Sequence, residues 1–332
     1  RIPLQKAAAD FFEQKDHETR VRVKRDLELL KAAAGSARFG SCVLTRYMER
    51  SIPERETQFA AISFLLDDGS AFLAFRGTDD TLMGWKEDFN MSFQESVPAQ
   101  RLALGYAKSL ADDFLLPLRL GGHSKGGNFA VYSAMNCAPD IQDRIIKVYC
   151  MDGPGFQPEV LERCNYDMIA GRVVKILPHS SLVGIIFESD MRFQVVESKR
   201  LGLMQHDLYT WKVKDDRLVR ANDIYEKRKR LGNNLNQWIL SLDEVQLRTF
   251  VDTLFHVIEA SQADNLIDFT AEWKRSMNGV VSAMKELDKE TVKVLKTVIK
   301  SLFDIAGENM KKEVSIKKNA TLRFFARRKE RK

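Results

Sequence analysis

Residues 118–128 read LRLGGHSKGGN, a short apolar strand pattern that runs into a glycine-rich turn and then into a helix. The turn contains Gly122-His123-Ser124-Lys125-Gly126, a match to G-x-S-x-G, in which a serine occupies the sharp corner between a strand and a helix. Glycines two positions either side of the serine let strand and helix approach while the serine takes a strained backbone conformation. The stretch therefore predicts a nucleophile elbow at Ser124. A glycine-rich turn that binds phosphate is the alternative.

Strand and helix patterns alternate on both sides of this turn. Apolar runs that predict buried strands lie at 60–66, 71–75, 118–121, 145–151, 173–177, 193–197 and 208–212. Helical patterns lie between several of them, at 99–114, 127–135 and 159–168. The first two runs are joined by Asp67-Asp68-Gly69-Ser70, which predicts a hairpin. The alternation that follows predicts an α/β fold with a mostly parallel sheet and crossover helices.

Both ends of the chain have helical patterns instead. Residues 1–34 read as one or two charged helices, and the chain is helical from about residue 223 onward. Ser241 and Glu244 have the spacing of a capping box ahead of a wide apolar face, and a second helix is predicted near 284–305. We therefore divide the chain into an α/β domain at 1–220 and a helical appendage at 221–332.

The composition indicates a soluble protein and argues against a metal site. Hydrophobic residues make up 44% of the 332 residues, enough for a large core, and charged residues make up 30%. The four cysteines lack the spacing of zinc ligands, and no metal or cofactor is predicted. They read as reduced thiols, which favours a cytoplasmic location.

The net charge of +6 belongs to one end of the chain. Residues 311–332 contain ten Lys or Arg and two Glu, a net charge of +8, so residues 1–310 carry −2. A mildly acidic body is not the electrostatic footprint of a nucleic-acid-binding core. The basic tail, with Leu322, Phe324 and Phe325 among its charges, predicts peripheral contact with an anionic membrane surface. A solvated end is the alternative.

A serine that carries out acyl transfer needs N–H donors for the oxyanion that forms on its substrate. The first donor is the backbone N–H of the residue after the serine, here Lys125. The second comes from the loop after an earlier strand. Residues 72–79, FLAFRGTD, predict a strand that ends in a tight turn, with the N–H or hydroxyl of Thr78 turned towards the serine. A simple polar loop is the alternative.

Five blocks of sequence resemble a known family. They are FRGT at 75–78, GWKEDF at 84–89, GHSKGGN at 122–128, DGPGF at 152–156 and HDLYTW at 206–211. Together they resemble the Mbeg-like bacterial family, which is itself similar to the fungal-type, or class three, triacylglycerol lipases. The likeness runs from about residue 59 to the C-terminal helices, and GHSKGGN is its most specific block. The resemblance implies an α/β-hydrolase fold and an esterase or lipase-like activity.

The resemblance also bears on the base and the acid. This fold orders its triad as serine, acid and histidine, and the resemblance implies His206 as the base, with His179 as the alternative. The lipase acid follows the strand at 173–177, where this sequence reads LPHSS without a carboxylate. Asp152, at the end of the preceding strand, is the predicted substitute and Asp190 is the fallback. Asp152 could equally cap the turn that it begins.

These residues together predict a hydrolase of carboxylic or lipid esters that works through an acyl-enzyme. Ser124 attacks the carbonyl, His206 transfers the proton, Asp152 orients His206, and the amides of Lys125 and Thr78 bind the oxyanion. The alternative is a catalytically silent hydrolase-fold module that binds a protein or membrane partner.

Overall fold

The computed structural model describes most of the first 259 residues. These are 1–21, 23–79, 82–91, 94–164, 166–187, 192–200 and 202–259, together with 289 and 292. Of the helix predicted near 284–305, only those last two residues are described, and both are helical. Asp190 and the tail at 311–332 lie outside the described residues.

A mixed sheet of eight strands forms the centre of the described chain, with the strands side by side in sequence order. They are β1 Ile2–Pro3, β2 Val43–Ile52, β3 Thr57–Leu65, β4 Ala71–Phe75, β5 Leu118–His123, β6 Ile145–Met151, β7 Val173–Pro178 and β8 Phe193–Val196. Strands β1–β4 pair antiparallel, whereas β4–β8 pair parallel. A separate hairpin pairs β9, Val213–Lys214, with β10, Arg217–Leu218. The five parallel strands confirm the predicted sheet.

Helices connect the parallel strands from β4 to β7. The described helices are α1 Leu4–Phe12, α2 Lys24–Ala34, α3 Leu82–Asn90, α4 Pro98–Asp113, α5 Lys125–Asn136, α6 Pro139–Arg144, α7 Pro158–Arg163, α8 Asp167–Ala170, α9 Glu226–Leu240 and α10 Glu244–Glu259. Helix α4 precedes β5, α5 and α6 lead from β5 to β6, and α7 and α8 lead from β6 to β7, as parallel pairing requires. The architecture is an α/β-hydrolase fold.

Local sequence patterns account for the central strands. Gly69 has a φ of 76° at the turn between β3 and β4, a backbone conformation that favours glycine, and the two strands pair as the predicted hairpin. The apolar runs that predict β5, β6 and β7 begin where these strands begin. Leu73, Leu120 and Val148 of adjacent strands are fully buried, as short runs with apolar residues on both faces indicate.

Helix α5, which follows Ser124, lies in the core of the protein. Every residue from 125 to 135 is buried. Phe129 packs near Phe59 of β3, with 6.1 Å between their ring centroids. A Cβ on Gly127 would lie 3.0 Å from the Sγ of Cys150 on β6, so this glycine allows the helix to pack closely on the sheet. The turn that carries Ser124 therefore joins two buried elements.

Strand β2 is absent from the sequence prediction. None of its residues is buried, and its charged side chains, such as Arg46, Glu49 and Arg50, break the alternation of apolar and polar residues that marks a half-buried strand. It is a strand because β3 offers its backbone N–H and C=O groups as a pairing edge. That edge exists only in the tertiary structure, so the residues of β2 do not by themselves indicate a strand.

The prediction of a strand at 208–212 is wrong. Residues Leu208–Thr210 form a short 3-10 helix, and Trp211 makes an isolated bridge with Ser198. The side chain of Asp207 accepts a hydrogen bond of 2.9 Å from the N–H of Tyr209. This local bond holds the backbone in a turn and competes with strand pairing.

The capping box of α10 lies later than predicted. Asp243 precedes the helix, and its Oδ1 accepts a hydrogen bond of 2.8 Å from the N–H of Gln246. The N–H of Asp243 in turn donates to Oε1 of Gln246 at 2.9 Å. The hydroxyl of Ser241 instead donates to the carbonyl of Trp238 at 2.7 Å, within the end of α9.

The chain divides into two compact units. One comprises residues 1–79 and 94–236, and the other residues 80–93 and 237–332. The eight-stranded sheet belongs to the first unit. The domain boundary near residue 220 stays a prediction. Within the described ranges, no helix combines the length and the hydrophobicity needed to cross a bilayer.

Candidate active site

Ser124 occupies the corner between β5 and α5. Its φ of 57° and ψ of −130° are rare for residues other than glycine. Its N–H donates to the carbonyl of Met151 at 2.9 Å, and its own carbonyl accepts bonds of 2.9 and 3.3 Å from the N–H groups of Gly127 and Asn128. The strained backbone is therefore held by the end of β6 on one side and by the first turn of α5 on the other.

Two glycines are required by close backbone approach at this corner. A Cβ on Gly122 would lie 2.5 Å from the carbonyl oxygen of Gly126 and 2.6 Å from that of Phe75. A Cβ on Gly126 would collide with the Phe75 carbonyl oxygen and lie 2.9 Å from the carbonyl carbon of Arg76. The turn and the end of β4 are thus packed backbone to backbone, with no room for a side chain between them.

The loop after β4 lies directly against Ser124. A Cβ on Gly77 would be 2.7 Å from the carbonyl oxygen of His123 and 3.4 Å from the Cβ of Ser124. Thr78 is the next residue in this loop. Lys125 is the first residue of α5, at the positive end of the helix dipole. Both predicted oxyanion donors belong to segments that border Ser124, and their role stays a prediction.

Asp152 and His206 meet although they lie 54 residues apart in the chain. The Nδ1 of His206 is 2.7 Å from the Oδ2 of Asp152. Asp152 directly follows β6, has a φ of 49°, and donates its N–H to the carbonyl of Ile176 at 2.8 Å. The side chain of Asp152 is 1% exposed and that of His206 is 19% exposed. A buried carboxylate at a strand end next to Ser124 therefore holds one ring nitrogen of His206.

Ser181 is a residue of this site that the sequence analysis did not identify. Its hydroxyl donates to the Oδ1 of Asp152 at 2.5 Å and accepts the N–H of Gly184 at 3.0 Å. It lies in the loop after β7, where the lipase resemblance implies an acid. The available signal was the pair Ser180-Ser181 in the loop close behind a buried strand, because buried hydroxyls need hydrogen-bond partners.

The other candidates have different surroundings. His179 is buried, with its Nε2 2.9 Å from the amide nitrogen of Gln205 and its ring 4.7 Å from the ring of Tyr225. The two carboxylate oxygens of Asp152 bond to side chains at 181 and 206 rather than to the turn that follows it. In the part of the chain that the structure describes, no three His, Cys, Asp or Glu side chains are grouped so as to hold a metal ion.

His123 packs on His206. Their ring centroids are 4.4 Å apart and the rings are inclined at 41°. Burial, and after it the neighbouring His206, lowers the pKa of His123 to about 3. His123 is therefore neutral near pH 7 and presents no positive charge to its neighbour.

A buried lysine lies behind the carboxylate. Lys175 of β7 is paired in register with Cys150 of β6 and is 1% exposed. Burial lowers the pKa of Lys175 to about 8, while Cys150 and Asp152 act in the opposite direction. Burial also raises the pKa of the Cys150 thiol. The ammonium form of Lys175 therefore attracts the Asp152 carboxylate from the side of the sheet.

Comparison with family models identifies the group to which this site belongs. The Mbeg1-like model matches residues 33–256, more than half of the chain. The chain belongs to the Mbeg1-like family. This confirms the resemblance inferred from the five sequence blocks. Every residue of the candidate site lies within the Mbeg1-like match.

A solved lipase structure is also similar to this Mbeg1-like chain. The crystal structure of M37 lipase is 14% identical in sequence, with a TM-score of 0.36, and the alignment covers 55% of this chain and 68% of the lipase. No curated protein matches the Mbeg1-like chain.

Proposed function

We propose that this protein is a serine hydrolase that cleaves carboxylic or lipid esters through an acyl-enzyme. The observation that carries the proposal is the 2.7 Å hydrogen bond between His206 and the buried Asp152, beside the strained backbone of Ser124. A serine hydroxyl, an imidazole and a carboxylate are the three groups that nucleophilic acyl transfer uses. The turn at 122–126 acts as the nucleophile elbow.

Asp152 selects the tautomer of His206. When Nδ1–H donates to the carboxylate, Nε2 is the proton acceptor and takes the hydroxyl proton of Ser124 during its attack on the ester carbonyl. The imidazolium that forms is stabilised by Asp152 and then donates its proton to the leaving alcohol. Water attacks the acyl-enzyme by the same route, and the carboxylic acid is released.

The oxyanion of each tetrahedral intermediate is bound by the backbone N–H groups of Lys125 and Thr78. The contact of Gly77 with Ser124 and the position of Lys125 at the start of α5 support these roles. Preorganised amides stabilise the developing charge without reorganising during the reaction. The neutral state of His123 supports the role of His206, because a second positive imidazole 4.4 Å away would oppose the imidazolium.

A fluorophosphonate probe and a soluble short-chain ester test this function. The wild-type protein should react with the probe and hydrolyse the ester, whereas Ser124→Ala should do neither and keep its melting temperature. Asp152→Asn should lower kcat by orders of magnitude, up to about 10⁴-fold, because the amide favours the wrong tautomer of His206.

Ser133→Ala is the matched control for the nucleophile. Ser133 is also buried on α5, and its hydroxyl has no hydrogen-bond partner among the described residues. This variant should be labelled like the wild type. Equal labelling of Ser124→Ala would remove Ser124 from the mechanism. A wild-type protein that neither reacts nor hydrolyses would instead favour the catalytically silent module.

A further inference from the structure

The carboxylate of Asp152 is held on two sides inside the protein. Its Oδ2 bonds to His206, and its Oδ1 accepts the hydroxyl hydrogen of Ser181 at 2.5 Å. Asp152 and Ser181 are each 1% exposed. A Cβ on Gly184 would lie 2.5 Å from Oδ1 of Asp152 and 3.1 Å from Oγ of Ser181. The loop after β7 thus closes over the carboxylate with no room for another side chain.

This loop is anchored by contacts that do not involve the carboxylate. The N–H of Gly155, in the turn after Asp152, donates to the carbonyl of Ile186 at 2.8 Å. The side-chain amide of Asn236 donates to the carbonyl of Ile185 at 3.2 Å and accepts the N–H of Phe187 at 3.0 Å. Ser181 is therefore presented to Asp152 by a loop whose backbone is fixed by other residues.

We propose that Ser181 is a positioning residue, whose hydroxyl fixes the Asp152 carboxylate so that Oδ2 is turned to His206. The inference rests on the proposed function, in which Asp152 orients His206. The strand end of β6 then supplies the acid, and the loop after β7 supplies the donor that holds it. A carboxylate free to rotate would align the imidazole less often, and small displacements of a catalytic group cost large factors in rate.

Groups from neighbouring strands surround the pair of Asp152 and His206. His123 contacts His206 from β5 and is neutral, while the ammonium form of Lys175 on β7 attracts the Asp152 carboxylate. The Ser181 hydroxyl directs a partial positive charge at Oδ1.

Ser181→Ala should lower the kcat of ester hydrolysis by about 10- to 100-fold and leave KM nearly unchanged. Ser63→Ala is the matched control. Ser63 is equally buried, and its Oγ lies 2.7 Å from the hydroxyl of Tyr106. This control loses a buried hydrogen bond without touching Asp152, and should keep the wild-type kcat.

Two further comparisons separate positioning from packing. Ser181→Thr and Ser181→Val have the same shape and differ in the hydroxyl, so the threonine variant should retain a kcat at least about tenfold above that of the valine variant. Adding Ser181→Ala to Asp152→Asn should have little further effect on kcat, because no carboxylate remains to be positioned.

The outcomes distinguish this inference from the proposed function. If Ser124 is labelled and the wild type hydrolyses esters, but Ser181→Ala keeps the wild-type kcat, the positioning role is overturned and the proposed function stands. Equal kcat values for the threonine and valine variants would overturn it as well. A wild-type protein without labelling or hydrolysis would overturn both.

Discussion

Near Ser124, burial controls the charge of two basic side chains. His123 stays neutral because burial lowers its pKa to about 3. The buried Lys175, with a pKa of about 8, is charged at neutral pH although its charged form is poorly solvated. Lys175 is therefore a source of instability that the attraction of Asp152 only partly offsets.

Comparison of the wild type with Lys175→Met should reveal this destabilisation as a difference in the free energy of unfolding that depends on pH. Between pH 8 and 10.5 the unfolded chain keeps a proton that the folded protein has released, so the wild type becomes more stable as the pH rises. A pKa lowered from 10.5 to about 8 corresponds to about 3 kcal/mol in the free energy of unfolding. Urea unfolding should therefore show that the free energy of unfolding of the wild type, relative to that of Lys175→Met, rises across this pH range by up to that amount. A constant difference between the two proteins would contradict the assignment.

At the scale of elements, helix α2 is joined to the segment that follows His206. The hydroxyl of Tyr209 donates to Oδ1 of Asp26 at 2.6 Å, and the guanidinium of Arg25 lies 5.7 Å from the centroid of the Tyr209 ring. Arg25 is also within 3.9 Å of Asp207. Burial, and then the hydrogen bond with Asp26, raises the pKa of Tyr209. A helix with no buried residue of its own thus docks through polar contacts beside the candidate base.

Tyr209→Phe should lower the free energy of unfolding by about 1 kcal/mol, because it removes a hydrogen bond to a charged group at a partly exposed site. Asp26→Asn should cost a similar amount, and the double variant little more than either single change. Tyr47→Phe is the control, since its hydroxyl bonds to Glu49 only two residues away and joins no separate elements. Additive losses in the double variant would show that the two side chains do not act as a pair.

At the scale of the whole molecule, charge is distributed unevenly along the chain. Residues 311–332 carry a net charge of +8 and residues 1–310 carry −2. We propose that the tail adsorbs to anionic membrane surfaces, where each basic residue contributes about 1 kcal/mol and salt screens the attraction within roughly 10 Å. Phe324 and Phe325 would add an apolar contribution that salt does not weaken.

Removing residues 311–332 should abolish binding to anionic vesicles and leave hydrolysis of a soluble ester unchanged, because the proposed triad lies before residue 210. Sedimentation with phosphatidylserine vesicles at low and high salt measures the first effect, and neutral vesicles serve as the control. If the full-length protein does not bind anionic vesicles at low salt, the tail is a solvated end and the membrane proposal is wrong. Loss of soluble-ester hydrolysis on truncation would contradict the division of the chain into two functional parts.

The sequence by itself determined the parts of this protein that depend on near neighbours. The strand, the glycine-rich turn and the helix around Ser124 are specified within eleven consecutive residues, 118–128, because apolar runs and glycine backbone preferences act locally. The hairpin of β3 and β4 and the strands β6 and β7 follow for the same reason. The family could also be identified, since its blocks are short and each is continuous.

The tertiary structure alone decided what depends on distant residues. Strand β2 exists because β3 offers it an edge, and residues 208–212 form no strand because the side chain of Asp207 accepts a hydrogen bond from the backbone N–H of Tyr209. The sequence offers Asp152 and Asp190 as candidate acids, and only the fold brings the carboxylate of Asp152 to His206, 54 residues away. The contact between Asp152 and Ser181 spans 29 residues and has no local signature, because a hydrogen bond between loops is set by how strands β6 and β7 pair.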